Sequence, residues 1–354
     1  MTPPHLRGLT PDGMCQRWPQ LPDRMARRIA NRLVARYSDD LEGIPGLSSR
    51  LMSLLAAESR LDRLYVADRR MSAQDLFAKY VFQAPDGVRF ESVRIPLERP
   101  RYSVCVSTQA GCPMGCVFCE TGRMGLLRNL DAWEMVDQVL RVRAEAEDRP
   151  VTGVVFQGQG EPLLNYDQVI QAAAVLRDPS GGRIGADRIT ISTVGLPHQI
   201  ERYTDDEHPY RLILSLTSTH DERRAALIPT TRRHPVKEIA QAFERHARAR
   251  GGLVHVAWVL IRGLNTDRAE AQRLRALFPG LSIRVSLIDV TDPSGRFEPP
   301  GEAERAAFIS ALASERIGFI RRYSGGTDIR AACGQLASTS QGGTRLETRY
   351  SPTT

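Results

Sequence analysis

From Arg101 onward, hydrophobic residues fall into short runs rich in β-branched side chains, separated by amphipathic stretches. The amphipathic stretches predict helices. One spans 131–146, where Asp131 and Glu134 can form a capping box, and another spans 236–250 and ends before Gly251. Alternation of this kind is typical of a parallel sheet built from strand-helix units and curved into a barrel. The predicted strands are 102–107, 153–156, 188–192, 211–216, 254–261, 283–290 and 317–323.

The N-terminal region has a different pattern. Residues 23–37 place apolar side chains at helical spacing with arginines between them, which predicts a helix, and shorter helices are predicted at 47–58 and 72–80. Alternating residues at 80–95, on both sides of the turn at Pro85, Asp86 and Gly87, predict a β-hairpin.

These patterns divide the chain into four predicted parts. Residues 1–75 form a small helical accessory domain and 76–97 a β-hairpin linker. The barrel occupies 98–337, and a polar tail at 338–354 is expected to be loosely ordered.

Composition limits the class of protein. With 354 residues, 42% of them hydrophobic, the chain can bury one large core and one small one. No apolar run reaches the length of a membrane span, and the N-terminus lacks a secretion signal, so we expect a cytoplasmic protein without a membrane partner. Six cysteines in so long a chain, three of them clustered, favour reduced thiols and a metal cofactor over a disulfide framework.

The formal charge of +7 permits an anionic partner such as RNA, because arginine-rich surfaces release counterions from phosphates. Nearly all of this charge is arginine, since Lys79 and Lys237 are the only lysines. A bias in coding composition would produce the same excess. Charge alone therefore does not identify the partner.

The most informative motif is Cys112-x3-Cys116-x2-Cys119. A 4Fe-4S cluster that only transfers electrons takes four cysteine ligands, so three leave one iron open for chemistry. The alternatives are a zinc knuckle completed by a distant histidine and three unrelated buried cysteines. The spacing favours the cluster.

Small and acidic residues follow the next predicted strands, at the edge where barrel enzymes bind their ligands. Gly158, Gly160 and Glu161 follow the second strand, where glycines permit close approach of a ligand and a carboxylate accepts bonds from an ammonium group. Ser192 and Ser215 end the third and fourth strands. Each is an ordinary turn or cap residue in isolation, but their common edge favours a cofactor site.

Taken together, the motifs resemble the radical S-adenosylmethionine (SAM) superfamily and, within it, the RlmN/Cfr family of radical-SAM 23S rRNA adenine methyltransferases. The match runs from the hairpin to near the C-terminus, and its last motif is highly specific. It is carried by residues 105–112 (CVSTQAGC), the cluster run with Glu120-Thr121-Gly122, residues 128–130 (RNL), Gly158 to Pro162 (GQGEP), Ile191 to Gly195 (ISTVG), Leu214-Ser215-Leu216 and Ala331 to Leu336 (AACGQL).

The resemblance implies an α/β fold: a partial (β/α)6-type, TIM-like radical-SAM barrel with a small N-terminal helical accessory domain and a β-hairpin linker. It implies a 4Fe-4S cluster held by Cys112, Cys116 and Cys119. It further implies that SAM is used twice per turnover. The residues implied for SAM binding are Gly160, Glu161, Ser192, Ser215, Thr217 and Thr291.

The resemblance also implies the roles of three further residues. Cys333 would accept a methyl group from one SAM molecule, and a second SAM would be cleaved to a 5'-deoxyadenosyl radical that removes hydrogen from the S-methyl group. The resulting methylene radical would add to an adenine carbon. Glu91 would take the ring proton, and Cys105 would release the product by forming a disulfide with Cys333. For Glu91 the alternative is a solvated strand carboxylate, and for Cys105 a core residue.

Several positions depart from the family pattern. Gln157 and Gln159 replace methionines beside the cofactor glycines, Thr217 replaces a histidine, and Thr291 replaces an asparagine. Glu120-Thr121-Gly122 is more similar to the carbon-8 branch, whereas residues 327–329 are more similar to the carbon-2 branch. The methylated carbon is therefore left open.

The expected partners are RNA, most simply 23S rRNA before ribosome assembly, and an electron donor such as flavodoxin or ferredoxin, with the protein acting as a monomer. The basic segments 24–36 and 321–322 are candidates for RNA contacts, although solvated arginines are the default for either. Two other classes stay open: the same methyl transfer to a peptide or small molecule, and a noncatalytic iron-sulfur or zinc module that binds RNA.

Overall fold

The computed structural model describes residues 3–337, so the predicted tail at 338–354 lies outside the described part. Its N-terminal region is helical, as the apolar spacing predicts. Met25, Ile29 and Leu33 are buried along one face, and the second helix continues into a π-helical turn, Asn31–Ala35. The helices here are α1 (Pro11–Arg17), α2 (Asp23–Ala30) and α3 (Ser49–Glu58).

Strands follow where the sequence predicts a third helix. Residues 72–77 have no regular secondary structure, and Ala78 begins a strand, so the helix predicted at 72–80 is wrong. Leu76, Phe77 and Tyr80 imitate helical spacing, but Tyr80 is a buried strand residue. The strands are β1 (Tyr65–Met71), β2 (Ala78–Gln83) and β3 (Arg89–Pro96).

The seven strands predicted after residue 101 are all present, within one or two residues of the predicted positions. Two short strands, β5 and β6, form a separate antiparallel pair beside the cysteine motif. The strands are β4 (Tyr102–Val106), β5 (Gln109–Gly111), β6 (Leu126–Asn129), β7 (Val151–Phe156), β8 (Ile189–Thr193), β9 (Arg211–Ser215), β10 (Leu253–Leu260), β11 (Ser282–Asp289) and β12 (Gly318–Arg322).

Helices connect these strands. The capping box predicted at Asp131 is present, since the Glu134 side chain accepts a hydrogen bond from the Asp131 amide at 2.7 Å. The helices are α4 (Glu120–Met124), α5 (Ala132–Glu145), α6 (Tyr166–Arg177), α7 (Pro197–Asp205), α8 (Asp221–Leu227), α9 (Val236–Ala249), α10 (Arg268–Leu277) and α11 (Glu302–Ser314).

Ten strands form one continuous sheet in the order β1-β2-β3-β4-β7-β8-β9-β10-β11-β12. The segment from β4 to β12 is parallel throughout, and β1, β2 and β3 extend it as antiparallel neighbours. This arrangement confirms the predicted α/β fold with a central parallel sheet. Because all seven parallel strands run the same way, the residues that follow their C-terminal ends share one edge of the sheet.

The core extends across the boundary predicted at residue 75. Leu6, Ile29 and Leu33 belong to the same buried cluster as Val136 and Leu140 of α5. The chain start lies against that helix as well, with the His5 ring stacked on Trp133 at a centroid distance of 4.2 Å. The division of the chain into domains remains a prediction. Within residues 3–337, no helix combines the length and the apolar character needed to cross a bilayer.

Candidate functional site

A cavity of about 960 Å³ is lined by the parallel strands and by the loops at their ends. Its lining includes residues at both ends of the strands, from Arg188 and Arg211 at the N-terminal edge to the cysteine motif at the C-terminal edge. Eleven of the twelve predicted site residues line it, and Glu91 is the exception. The eleven are Cys105, Cys112, Cys116, Cys119, Gly160, Glu161, Ser192, Ser215, Thr217, Thr291 and Cys333.

The cysteine loop is held by close backbone contacts. The Cys112 amide donates to the Gly125 carbonyl at 2.8 Å, and the Val117 amide donates to Leu227 at 3.0 Å. Gly122 lies so close to the loop that a Cβ atom there would come within 2.7 Å of the Cys116 nitrogen. These contacts fix the backbone of the loop that carries the thiols.

The three thiols share a poorly solvated environment. Burial raises the pKa of Cys112 to about 12 and raises the pKa values of Cys116 and Cys119, and the neighbouring cysteines raise that of Cys116 further. Metal binding must therefore displace three protons at neutral pH. The negative charge of three thiolates is costly here unless a cationic centre replaces those protons.

The donor set fits a four-iron cluster. Among residues 3–337, no group of three His, Cys, Asp or Glu side chains is arranged to hold a single metal ion, as a structural zinc site requires. Each cysteine of a 4Fe-4S cluster binds a different iron, so its thiols need not converge on one point. The three thiols line one cavity, as such a cluster requires.

Gly160 is required by the protein's own packing. It has a φ of +100°, and a Cβ atom there would lie 2.7 Å from the Gln109 side chain and 2.8 Å from the Thr108 hydroxyl. The sequence interpretation assigned this glycine to the approach of a ligand. In the structure it lines the cavity and also lets the turn after β7 meet the segment after β4.

Glu161 is buried and bonded to two backbone amides. Its carboxylate accepts from Leu163 at 3.0 Å and from Val194 at 2.9 Å. Burial raises its pKa to about 7, against the opposing effect of these hydrogen bonds. The carboxylate therefore joins the turn after β7 to the turn after β8 and also faces the cavity.

The four predicted hydroxyl residues differ in their contacts. The Ser192 and Ser215 hydroxyls lie 2.9 Å apart at the ends of β8 and β9, where both face the cavity. Thr217 is buried, with a φ of +63°. The Thr291 hydroxyl instead donates to the Cys333 carbonyl at 2.7 Å, so in this structure it holds the C-terminal segment.

Cys333 lies in a segment bonded directly to the cysteine motif. The Glu120 amide donates to Gly334 at 2.7 Å, and the Thr121 hydroxyl donates to Leu336 at 2.7 Å. We call residues 324–337 the carrier segment. Cys333 is exposed where it lines the cavity. Desolvation by the surrounding protein raises its pKa, and the Arg322 guanidinium opposes this rise.

Cys105 lies beside the carrier segment. It belongs to a small apolar cluster with Ala331 and Leu336, and it is buried. Burial raises its pKa, and the proximity of Cys333 raises it further. The structure thus brings Cys105 and Cys333 into one neighbourhood. All six cysteines are free, so the predicted disulfide is not formed in this structure.

Glu91 is neither solvated nor exposed to the cavity. Its carboxylate lies 3.3 Å from the Lys79 ammonium and accepts from the Ala337 amide at 2.9 Å, and the residue is 3% exposed. Burial raises its pKa, while Lys79 opposes the rise. The predicted alternative, a solvated strand carboxylate, is therefore wrong. Glu91 contacts the end of the carrier segment.

Two residues near the site were missed by sequence reasoning. Arg224 of α8 is 1% exposed, and its neighbour Arg223 is indistinguishable from it in sequence. Helical spacing from the buried Leu227 does not separate the two, since Arg224 lies three residues before it and Arg223 four. Asp75 accepts from the Tyr323 hydroxyl at 3.1 Å and from the Gly326 amide at 3.0 Å.

Comparison with known proteins agrees with this geometry. A family model described as the radical SAM superfamily matches residues 106–274. A probable RNA methyltransferase of Myxococcus xanthus is 45% identical, over 88% of this chain and 86% of the relative. A dual-specificity RNA methyltransferase RlmN of Syntrophotalea carbinolica is 36% identical, over 88% of this chain and 83% of the relative.

The fold of one solved structure matches over nearly the whole chain. A radical SAM methyltransferase from Sphaerobacter thermophilus is 35% identical, with a TM-score of 0.86 over 94% of this chain and 99% of the other. Radical SAM proteins use a 4Fe-4S cluster and SAM, and the cavity has residues for both. The chain belongs to the family of radical-SAM RNA methyltransferases that includes RlmN.

Proposed function

We propose that the protein methylates a ring carbon of adenine in RNA, C2 or C8, by way of a methyl group carried on Cys333, with 23S rRNA as the substrate. One observation supports this most strongly: Cys333 lines the same cavity as the three motif cysteines and Cys105. A noncatalytic metal module has no use for an exposed cysteine at this place.

The cofactors, when bound, supply a methyl group and, after one-electron reduction, a radical able to remove hydrogen from a methyl group. Cys333 first acts as a nucleophile, its thiolate taking a methyl group from the sulfonium of SAM. The nearby Arg322 guanidinium favours that thiolate. The amide of Cys333 donates to the Ser324 hydroxyl at 3.1 Å and fixes the backbone on which the sulfur turns.

The S-methyl group then loses a hydrogen atom, and its carbon bonds to the adenine ring. The adduct gives up one electron, which the bound cluster would accept, and Glu91 takes the ring proton. The Cys105 thiolate attacks the Cys333 sulfur, so that an S–S bond forms and the sulfur–carbon bond breaks. The electron pair leaves with the methylene carbon, which takes a proton and becomes the methyl group. Exposure of Glu91 to the ring requires movement of Ala337, which covers its carboxylate.

An anionic polymer suits the rim of the cavity. Besides Arg321, which pairs with Asp289, five arginines line it, and none of these five has an ion pair within the described part of the chain. Target adenine must leave its stack to enter the cavity, and RNA-binding proteins hold such bases with phosphate contacts and stacking. The arginines are Arg99, Arg101, Arg188, Arg211 and Arg322. An enzyme that acts on rRNA before ribosome assembly would work in the cytoplasm. We expect it to act as a monomer and to receive electrons from a protein such as flavodoxin or ferredoxin.

The proposal is tested with protein reconstituted anaerobically with iron and sulfide, SAM, a reductant and a 23S rRNA fragment. Mass spectrometry of the digested RNA distinguishes 2-methyladenosine from 8-methyladenosine, and intact-protein mass reports methylation of Cys333. Cys333→Ala is expected to abolish both signals. Cys105→Ala is expected to accumulate a protein–RNA adduct, because its release step is missing.

Cys15→Ala is the matched control, since Cys15 lies outside the cavity lining and should leave both signals unchanged. RNA methylation by the Cys333→Ala protein would contradict the carrier role. A fully reconstituted protein that methylates no rRNA fragment would instead favour a peptide or small-molecule substrate.

A further inference from the structure

Arg224 is a buried cation without an ion pair among the described residues. Its Nε donates to the Leu216 carbonyl at 3.1 Å, and its Nη2 donates to the Val194 carbonyl. Its Nη1 is buried and has no hydrogen-bond partner in the described part of the chain. A buried guanidinium in this state is costly unless negative charge lies nearby.

The two bonds of Arg224 join two of the turns beside predicted cofactor residues, those after β8 and β9. Leu216 lies between Ser215 and Thr217, at the end of β9. Val194 accepts from Arg224 through its carbonyl and donates to Glu161 through its amide. The guanidinium and the Glu161 carboxylate are therefore linked through a single residue, Val194.

The helix that carries Arg224 is also bonded to the cysteine loop. Leu227, at the end of α8, accepts from the Val117 amide at 3.0 Å. The Thr230 hydroxyl, just beyond the helix, donates to the Met114 carbonyl at 2.9 Å. Cys116 packs against the buried cluster that contains Leu227, and the charges of Cys116, Asp221 and Glu161 act on Arg224. Negative charge appears at Cys116 when its thiol loses a proton to bind iron.

We propose that Arg224 is the positioning residue of the cofactor site, fixing the turns after β8 and β9 and supplying the countercharge for the thiolates once the cluster is bound. The role rests on the proposed function, since it concerns the same cluster and SAM. It needs no contact between Arg224 and either cofactor. Residues that act on a metal site through its ligands in this way typically change affinity 10- to 100-fold when replaced.

Two substitutions distinguish the effect of the hydrogen bonds of Arg224 from the effect of its charge. Arg224→Gln removes the charge and one of the two bonds. Arg224→Lys keeps the charge, but an ammonium group lacks the planar fork that reaches two carbonyls at once. Arg143→Gln is the matched control, because Arg143 also donates to two backbone carbonyls, Gly182 and Val34, but lies outside the cavity lining.

The measurements are the reduction potential of the cluster, by anaerobic titration with electron paramagnetic resonance, and the SAM dissociation constant of the oxidised protein. Loss of a positive charge disfavours the more negative, reduced cluster. In Arg224→Gln we expect the ratio of reduced to oxidised cluster at a fixed potential to fall about tenfold, which is about 59 mV for one electron. In Arg224→Lys the ratio should stay within about twofold, while the dissociation constant of SAM rises about tenfold.

Each part of the proposal has a result that overturns it. An unchanged potential in Arg224→Gln overturns the countercharge, and unchanged SAM affinity in Arg224→Lys overturns the positioning. Equal changes of the cluster potential and of the SAM dissociation constant in Arg143→Gln would show that both effects come from general loosening of the protein. If Arg224→Gln does not fold, Arg224→Lys tests both parts: unchanged SAM affinity overturns the positioning, and a tenfold fall in the ratio of reduced to oxidised cluster, although the charge is kept, overturns the countercharge. Failure of the unaltered protein to take up a cluster would instead contradict the proposed function.

Discussion

At the scale of single residues, the site depends on backbone amides and on glycine, which has no side chain, as much as on reactive groups. Gly160 lets two turns meet, and Glu161 fixes a third through the Val194 amide. The reactive thiols are left poorly solvated, with raised pKa values at Cys105 and Cys333. A thiol in this state is inert until a specific base or cation acts on it.

Gly160→Ala should destabilise the protein by about 2–3 kcal/mol, because the added Cβ would lie 2.7 Å from the Gln109 side chain and φ is +100°. Gly87→Ala is the control. It has a φ of +83° but open space around it, so it should lose only about 1 kcal/mol. Urea unfolding of the two variants measures the difference, and equal losses would show that crowding at residue 160 has no effect.

Glu161→Gln should flatten the pH dependence of stability. The folded protein raises the pKa of Glu161 from 4.5 to about 7, so its protonated form is favoured on folding. This contribution is complete below pH 4.5 and is lost as the pH rises through about 7, a difference of about 3 kcal/mol.

The test compares urea unfolding of the metal-free protein at acidic and mildly alkaline pH. The unaltered protein should lose about 3 kcal/mol more than Glu161→Gln between these conditions. Other titrating groups cancel in this difference. Parallel pH profiles for the two proteins would contradict the prediction.

At the scale of elements, the carrier segment is held by parts of the chain far away in sequence. Asp75 accepts from Tyr323 and Gly326, the Ala73 amide donates to Asp328 at 3.0 Å, and the Phe77 ring lies 6.0 Å from the ring of Tyr323. We call residues 72–77 the clamp loop. It forms where the sequence predicts a helix, and this departure from regular structure is what allows it to reach the carrier segment.

Asp75→Ala should loosen the carrier segment without unfolding the barrel. The bond to Gly326 of that segment and the bond to Tyr323 just before it are lost, so hydrogen exchange at Gly326 and its neighbours should increase about tenfold, and methylation of Cys333 should slow. Asp68→Ala is the control, because Asp68 is bonded to Arg70 at an exposed position of β1. Exchange mass spectrometry that finds equal protection in both variants would refute the clamp.

The elements that sequence predicts well are those with a strong apolar signal. Apart from β12, whose residues are exposed, the parallel strands are largely buried, so runs of valine, isoleucine and leucine mark them. Strand β1 has no such signal, since its residues 68–70 are charged and it lies at the exposed edge of the sheet. The false helix at 72–80 arose because a loop that packs Phe77 against the carrier segment has the same spacing of apolar residues as a helix turn.

The functional site likewise has residues that the sequence predicts and residues that it does not. Cysteine spacing and the residues after each strand identified the cavity lining, because ligand-facing positions in a barrel follow fixed points of the sequence. Arg224 and Asp75 were missed, since each acts through backbone atoms of distant segments that no local pattern specifies. The pairing of Glu91 with Lys79 requires the register of β2 and β3, which alternation alone does not fix.

At the scale of the whole molecule, the N-terminal helices and the barrel share one core, and a buried ion pair lies where they meet. Arg7 is 0% exposed and donates to the carbonyls of Asp62 and Ser38, both at 2.7 Å. Its guanidinium lies 3.9 Å from Asp137 of α5, which is also fully buried. Stability of the barrel and of the N-terminal region should therefore be linked.

Arg7→Ala should destabilise the whole protein by about 3–5 kcal/mol, because Asp137 is left as a buried charge without its cation. Arg27→Ala, which removes an exposed pair with Asp23, should cost less than about 1 kcal/mol. Thermal unfolding followed by two probes, one in each region, should give a single transition that shifts as a unit. Separate transitions would show that the regions are independent.

The carrier segment supplies one wall of the cavity, through bonds that span 215 residues to Thr121, 246 to Glu91 and 255 to Ala73. During synthesis the cysteine motif and the whole parallel sheet are made before this wall exists. A nascent chain that stops short of residue 324 has every predicted iron ligand but no methyl acceptor. Synthesis of residues 324–337 thus decides when the chain acquires its proposed methyl carrier.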